Sequence, residues 1–307
     1  MPLNKAEKIF FEKLAQQNDE NADQPAPGIS VEMIRDWSKT MVHLAGPYAD
    51  VPYDDIKLPV RDGSEISVRF FNPQLPSNRP CLFFFPGCGY VADNFEINAI
   101  AASRIADYAN AKVFMVDLRK CPEFPLPIPM QDAFDVVEYI SKNDKQFNID
   151  PNNMTVTGAS SGAHAAAYVA NTSRLDADLN IRQQILLSGC FDLTNSQNTY
   201  TEVEKQDGMF QRGPIVDFIY EQWGVKLNDP AISMVFDNSL TDLPKTVFLI
   251  PEYDGLRNDA ELYYRHLKDL GSDVARIDLP GQTHNTIFFR DVLSDGEDPA
   301  KVIADLL

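Results

Sequence analysis

The sequence predicts an α/β fold in which an eight-stranded, mostly parallel sheet is flanked by helices. From residue 81 onward, short apolar runs alternate with amphipathic segments, which is typical of parallel strands joined by crossover helices. One of these runs leads into the pentapeptide at residues 158–162, whose Gly-x-Ser-x-Gly spacing is typical of a sharp turn from strand to helix. With 307 residues and 44% hydrophobic content, the chain can also bury a sizeable core.

Two amphipathic helices are predicted before the sheet begins. They span residues 3–17 and 31–44, where apolar side chains recur among charged ones. The polar segment 18–28 contains two prolines, so we interpret it as the linker between these helices.

The next two apolar runs are predicted to form an antiparallel hairpin. Residues 56–60 and 66–71 are alternating or rich in β-formers, and Asp62-Gly63 lies between them. An Asp-Gly pair between two such runs is a strong signal for a hairpin turn.

The rest of the predicted sheet consists of six strands separated by helices. The strands are residues 81–85, 112–116, 154–157, 184–188, 246–250 and 274–279. The helices are residues 97–108, 133–140, 259–270 and the segment that begins after Ser160. Between residues 191 and 243 the alternation lapses, although a helix is predicted around Phe218. A segment of that length within a compact fold is usually functional, often as a lid or cap.

Composition excludes several classes of partner. The chain carries 45 acidic and 27 basic residues, a net charge of −18, which argues against nucleic acid or anionic lipid as a partner. No stretch approaches the ~20 apolar residues of a membrane span, and charges in residues 1–17 interrupt any apolar run that a signal peptide would need. We therefore expect a cytoplasmic protein, with export by a signal-independent route left open.

No metal or cofactor is expected. The four cysteines, Cys81, Cys88, Cys121 and Cys190, are scattered, without a Cys-x-x-Cys pair or a histidine at zinc-ligand spacing. They are interpreted as buried free thiols.

Ser160, at the centre of the pentapeptide, is the candidate nucleophile. A strand that turns abruptly into a helix strains the central residue and exposes its side chain, and the small flanking residues prevent collisions. A serine hydroxyl is a poor nucleophile near neutral pH, so it needs a histidine base, which in turn needs a carboxylate to fix its tautomer.

His284 is the preferred base among four histidines. It follows the last predicted strand, at the edge where parallel sheets present their reactive groups. His164 lies one helical turn after Ser160 and cannot easily approach its hydroxyl from the substrate side. His43 and His266 lie in helical segments that favour a solvated or packed role.

Asp254 is the preferred carboxylate because it follows a predicted strand at the same edge as His284. Asp192, just past another strand, is its main rival. Asp117 also ends a strand but precedes Ser160, whereas the expected chain order is serine, acid, histidine.

A glycine-rich loop at residues 85–90, directly after a strand, is the candidate oxyanion-binding loop. When serine attacks a carbonyl, backbone amides fixed in such a loop can stabilise the oxyanion without reorganising.

Together these motifs resemble the hormone-sensitive-lipase-like branch of the α/β-hydrolase superfamily, over nearly the whole chain. Residues 86–89 are similar to the His-Gly-Gly-Gly loop of that family, and residues 158–163 to its Gly-Asp-Ser-Ala-Gly-Gly turn. The Tyr-Arg-Leu-Ala-Pro-Glu loop of that family is similar to residues 118–123. Its acid motif is similar to residues 254–259, and its histidine motif to residues 281–284.

The resemblance implies an α/β-hydrolase fold and assigns roles within it. Ser160, Asp254 and His284 would form the triad, and the backbone amides of Cys88, Gly89 and Ser161 the oxyanion hole. Residues 1–50 would supply N-terminal cap helices, and residues 191–243 a cap insertion within a core of residues 51–307.

Two departures from the family pattern lie in the loop, where Pro86 replaces the histidine and Cys88 replaces a glycine. We expect them to affect rate and substrate more than reaction type.

The predicted function is a serine carboxylesterase that cleaves short or medium acyl esters, or small aromatic esters, through an acyl-enzyme. Apolar side chains in the loop and cap are the candidate substrate contacts: Tyr90, Met209, Phe210, Phe218 and Trp223. Two alternatives stay open: an amidase, formamidase or deacetylase of the same fold, and a non-catalytic small-molecule receptor. The plant gibberellin receptors of this family are such receptors, but they lack the histidine. The oligomeric state is also open, with a homodimer as one option.

Overall fold

A computed structural model describes residues 29–194, 214–293 and 296–307 of the chain. Its strands are β1 Tyr53–Pro59, β2 Glu65–Phe71, β3 Cys81–Phe85, β4 Lys112–Val116, β5 Met154–Ala159, β6 Ile181–Leu187, β7 Lys245–Tyr253 and β8 Val274–Thr283. Its α-helices are α1 Val31–Thr40, α2 Phe95–Ala109, α3 Ile128–Lys142, α4 Asp144–Phe147, α5 Ser161–Ser173, α6 Pro214–Gln222, α7 Arg257–Asp269, α8 Arg290–Leu293 and α9 Pro299–Asp305.

All eight strands belong to one sheet, in the order β1-β2-β4-β3-β5-β6-β7-β8. Strand β2 pairs antiparallel with both β1 and β4, whereas the other neighbours pair in parallel. The predicted eight-stranded, mostly parallel sheet is therefore confirmed, including its antiparallel start.

Helices cover both faces of this sheet. Successive side chains of a strand point to opposite faces of the sheet. All five side chains of β3 are buried, so both faces are covered at this strand. Phe83 and Phe85 join the apolar cluster that includes α3, α5 and α7, whereas Leu82 and Phe84 join the cluster that includes α2 and α9. The result is a three-layer arrangement of helices, sheet and helices.

Several boundaries differ from the predictions. The helix predicted at residues 31–44 is α1 followed by a 3₁₀ turn, Met41–Leu44. The helix predicted at residues 3–17 and the linker at 18–28 lie outside the described residues. The strands predicted at residues 246–250 and 274–279 are longer in the structure, since β7 and β8 continue through Pro251 and Pro280. The pairing between them shifts register between Pro251 and Tyr253 and then resumes.

Within the described part of the chain, no helix is both long enough and apolar enough to cross a bilayer.

Candidate active site

Ser160 lies at the turn between β5 and α5, with φ 56° and ψ −124°. A residue with a Cβ rarely adopts a positive φ, and such strained residues cluster at functional sites. The Ser160 amide donates to the carbonyl oxygen of Leu187 at 3.0 Å, which ties the turn to β6. The turn therefore has the sharp form predicted from its sequence.

The two glycines that flank Ser160 leave room for this turn. A Cβ added to Gly158 would lie 2.3 Å from the carbonyl carbon of Gly162, and one added to Gly162 would lie 2.0 Å from the carbonyl oxygen of Phe85. Both clashes involve backbone, which cannot rotate away as a side chain can. Close approach of β3, β5 and α5 therefore requires glycine at both positions.

Gly162→Ala is expected to destabilise the protein by about 3 kcal/mol or more, since the clash with Phe85 forces two core elements apart. Urea unfolding monitored by circular dichroism measures the loss. Gly271→Ala is the matched control, because no atom lies within 4 Å of the added Cβ and only its φ of +86° is unfavourable. A loss at Gly162 no larger than the control's ~1–2 kcal/mol would contradict the packing argument.

His284 and Asp254 lie side by side after adjacent strands. His284 Nδ1 is 2.8 Å from Asp254 Oδ1, and both side chains are buried. Asp254 Oδ1 also accepts the amide hydrogen of Leu256 at 2.8 Å, which fixes the carboxylate. Nδ1 is therefore the ring nitrogen of His284 that contacts the carboxylate.

The rival carboxylates are engaged in local contacts. Asp192 Oδ1 accepts both the amide and the hydroxyl of Thr194, at 3.2 and 2.7 Å. Asp117 Oδ1 lies 2.8 Å from Lys120 Nζ. Within the described residues, the structure thus places Asp254 beside His284.

His164 lies in α5 and is fully buried. Its Nδ1 lies 3.1 Å from Tyr90 Oη and its Nε2 lies 2.7 Å from the carbonyl oxygen of Ile232. Burial lowers the pKa of His164 to about 4, so the ring is neutral at pH 7 and both of its nitrogens are engaged.

The glycine-rich loop is held from two sides. The Gly87 amide donates to Asn98 Oδ1 at 2.9 Å, and Asn94 Nδ2 donates to the Gly87 carbonyl oxygen at 2.7 Å. On the other side, Trp223 Nε1 donates to the Gly89 carbonyl oxygen at 2.7 Å. The sequence reasoning missed both asparagines, although Asn98 stands out as a polar residue in a buried apolar stretch of α2.

One cavity of about 330 Å³ contains Ser160 and His284 in its wall. Its lining is mostly apolar and comes from α1, the glycine-rich loop, α6 and the segment after β8. Large apolar side chains that line it are Met33, Trp37, Met41, Ile215, Ile219, Trp223, Phe288 and Phe289. Ser160 and His284 therefore line the same, mostly apolar space.

The predicted substrate contacts occupy different positions. Trp223 lines the cavity. Tyr90 is fully buried behind the wall, where its ring packs against Trp223 at 5.3 Å. Phe218 packs against the core and is not part of the lining, and Met209 and Phe210 lie outside the described residues.

Comparison with known protein families gives an independent result. A family model described as "alpha/beta hydrolase fold" matches residues 82–288, which is well over half of the chain. The matched stretch contains the loop, Ser160, Asp254 and His284.

Individual relatives are hydrolases by name. The chain is 24% identical over 288 residues to an ethyl acetate hydrolase of Pseudomonas putida, covering 90% of this chain and 89% of that enzyme. It is 23% identical over 239 residues to an arylesterase of Saccharolobus solfataricus, covering 75% of each. Among solved structures, a hyperthermophilic esterase from Pyrobaculum calidifontis superposes with a TM-score of 0.84 at 26% identity, covering 99% of this chain and 97% of that one.

Proposed function

The chain belongs to the alpha/beta hydrolase family and is a carboxylesterase-type hydrolase, and we propose that Ser160, His284 and Asp254 carry out its reaction. The observation that carries this proposal is the pairing of His284 with Asp254 at 2.8 Å in the wall of the cavity that Ser160 also lines.

The proposed reaction has two halves. Ser160 Oγ attacks the ester carbonyl carbon while His284 Nε2 takes the hydroxyl proton, and that proton leaves with the alcohol. Water, activated by the same histidine, then attacks the acyl-enzyme and releases the acid and the free serine. Asp254 holds the ring in the required tautomer and stabilises the imidazolium that forms in each half.

The cavity favours small esters. A volume of about 330 Å³ is at the lower end of ligand pockets, which span ~300–1,000 Å³. Trp37 and Ile215 line it and are each about half exposed, so we place the entrance beside them. We propose a short or medium acyl ester, or a small aromatic ester, as the substrate class.

Hydrolysis of p-nitrophenyl acetate, butyrate and octanoate tests this proposal. We expect turnover of the first two and a lower kcat/KM for octanoate, because the longer chain is harder to fit into the cavity together with the aryl group. In parallel, a fluorophosphonate probe should label Ser160, as shown by peptide mass spectrometry, and heat-unfolded protein should stay unlabelled. A folded protein that neither turns over an ester nor takes the label would contradict the proposal.

A further inference from the structure

Five residues at and beside Ser160 line the cavity, and their backbone amides could in principle stabilise an oxyanion. They belong to Gly87, Cys88, Gly89, Ser160 and Ser161. Two of them are bonded to fixed acceptors, since the Gly87 amide donates to Asn98 Oδ1 and the Ser160 amide to the Leu187 carbonyl oxygen. These two are unavailable to a substrate.

The Cys88 amide is also engaged, by a side chain. It donates to Ser161 Oγ at 3.0 Å, and the same hydroxyl donates to the Pro86 carbonyl oxygen at 3.3 Å. Ser161 is fully buried and Cys88 nearly so, so water does not compete for this contact. The hydroxyl thus bridges two backbone groups of the glycine-rich loop.

The amides of Gly89 and Ser161 are in a different situation. In residues 29–194, 214–293 and 296–307, neither amide has a hydrogen-bond acceptor. Both residues line the cavity beside Ser160. These two amides are therefore free to receive charge that develops there.

We propose that the Ser161 side chain withholds the Cys88 amide from the reaction, so that the oxyanion hole has two donors rather than three. This inference rests on the proposed esterase function. The physical reason for this proposal is that an interaction accelerates the reaction only if it is stronger in the transition state than in the ground state. An amide already paired with a buried hydroxyl gains little when it exchanges that partner for an oxyanion.

The loop does not depend on this hydroxyl for its shape. The Cys88 carbonyl oxygen accepts from the amides of Val91 and Ala92, at 3.0 and 2.9 Å. The Gly89 carbonyl oxygen accepts from Trp223. With these contacts intact, removal of the Ser161 hydroxyl leaves the Cys88 amide in place but without a partner.

Ser161→Ala tests the proposal. Because one oxyanion donor is worth about 10²–10³ in kcat when optimally placed, we expect kcat on p-nitrophenyl butyrate to rise by about tenfold or more, with KM little changed. An aryl trifluoromethyl ketone, which forms an anionic adduct with the serine, should bind tighter by a similar factor. The thermal midpoint should fall, because the resting enzyme then buries an unpaired amide.

Two further variants complete the experiment. Ser161→Gly removes the same hydroxyl and should show the same gain. Ser173→Ala, at the other end of α5, removes a buried hydroxyl that contacts only the carbonyl oxygen of Ala170 among the described residues and should leave kcat unchanged.

The outcomes separate this inference from the proposed function. A fall in kcat in Ser161→Ala would overturn the inference, since the hydroxyl would then be positioning the loop for catalysis. An unchanged kcat and ketone affinity would overturn it as well, because the Cys88 amide would not reach the oxyanion. Absence of turnover in the wild type would instead count against the proposed function.

Discussion

Ser160→Ala is expected to hydrolyse p-nitrophenyl butyrate with a kcat about 10⁶-fold below that of the wild type. Without the hydroxyl no acyl-enzyme forms, and the remaining loop amides can assist only direct attack by water. Steady-state assays at high enzyme concentration measure the residual rate. Circular dichroism should show an unchanged fold, because alanine adds no atom to this turn.

Residues that act as one unit give non-additive losses. Adding Asp254→Asn to Ser160→Ala should therefore reduce the residual rate no further. A Ser160→Ala enzyme that keeps more than about one hundredth of the wild-type kcat would mean that another residue is the nucleophile, contrary to the triad logic.

Asp254→Asn is expected to lower kcat by about 10⁴-fold with the fold intact. Asp254 Oδ1 accepts from His284 Nδ1 in the proposed tautomer. An asparagine can turn its amide group toward that nitrogen and donate to it, which places the ring proton on Nε2, the atom that must receive the serine proton. The ratio of kcat values at pH 8 measures the effect.

Asp192→Asn is the matched control for this substitution. Asp192 is as buried as Asp254, and its Oδ1 accepts from Thr194. We expect this control to retain kcat within a few-fold. A larger loss in Asp192→Asn than in Asp254→Asn would reverse the assignment of the acid.

Much of the sheet can be predicted because its signals are local. The apolar run of β3 and the glycines around Ser160 are each legible within a few residues. Strand ends at prolines are harder to predict. A proline cannot donate one of the hydrogen bonds that pair strands, but at an edge strand or a bulge the strand can continue through it. That is why β7 and β8 are longer than predicted. The sequence does not predict helix α9, because its seven residues are too few to show a clear helical period.

The triad candidates were predictable for a different reason than the cavity walls. Their chain order and their positions after strands follow from topology. The walls combine distant segments of the chain, such as those that contribute Trp37 of α1 and Phe288 after β8 to the same cavity. Nothing within either segment indicates that the other covers the same space. The contact between Ser161 Oγ and the Cys88 amide is likewise a matter of tertiary geometry.

The register shift between β7 and β8 has a consequence for how this enzyme can diversify. Beyond the shift, Tyr253 pairs with Thr283, so Asp254 and His284 directly follow the ends of the two paired strands. The separation of the proposed acid and the proposed base is thus set by a backbone ladder at the rim of the sheet. The walls around the substrate come from helices and loops that are not part of that ladder. Substitutions in the walls can alter which ester fits while the proposed proton relay keeps its dimensions, so specificity and chemistry can evolve separately.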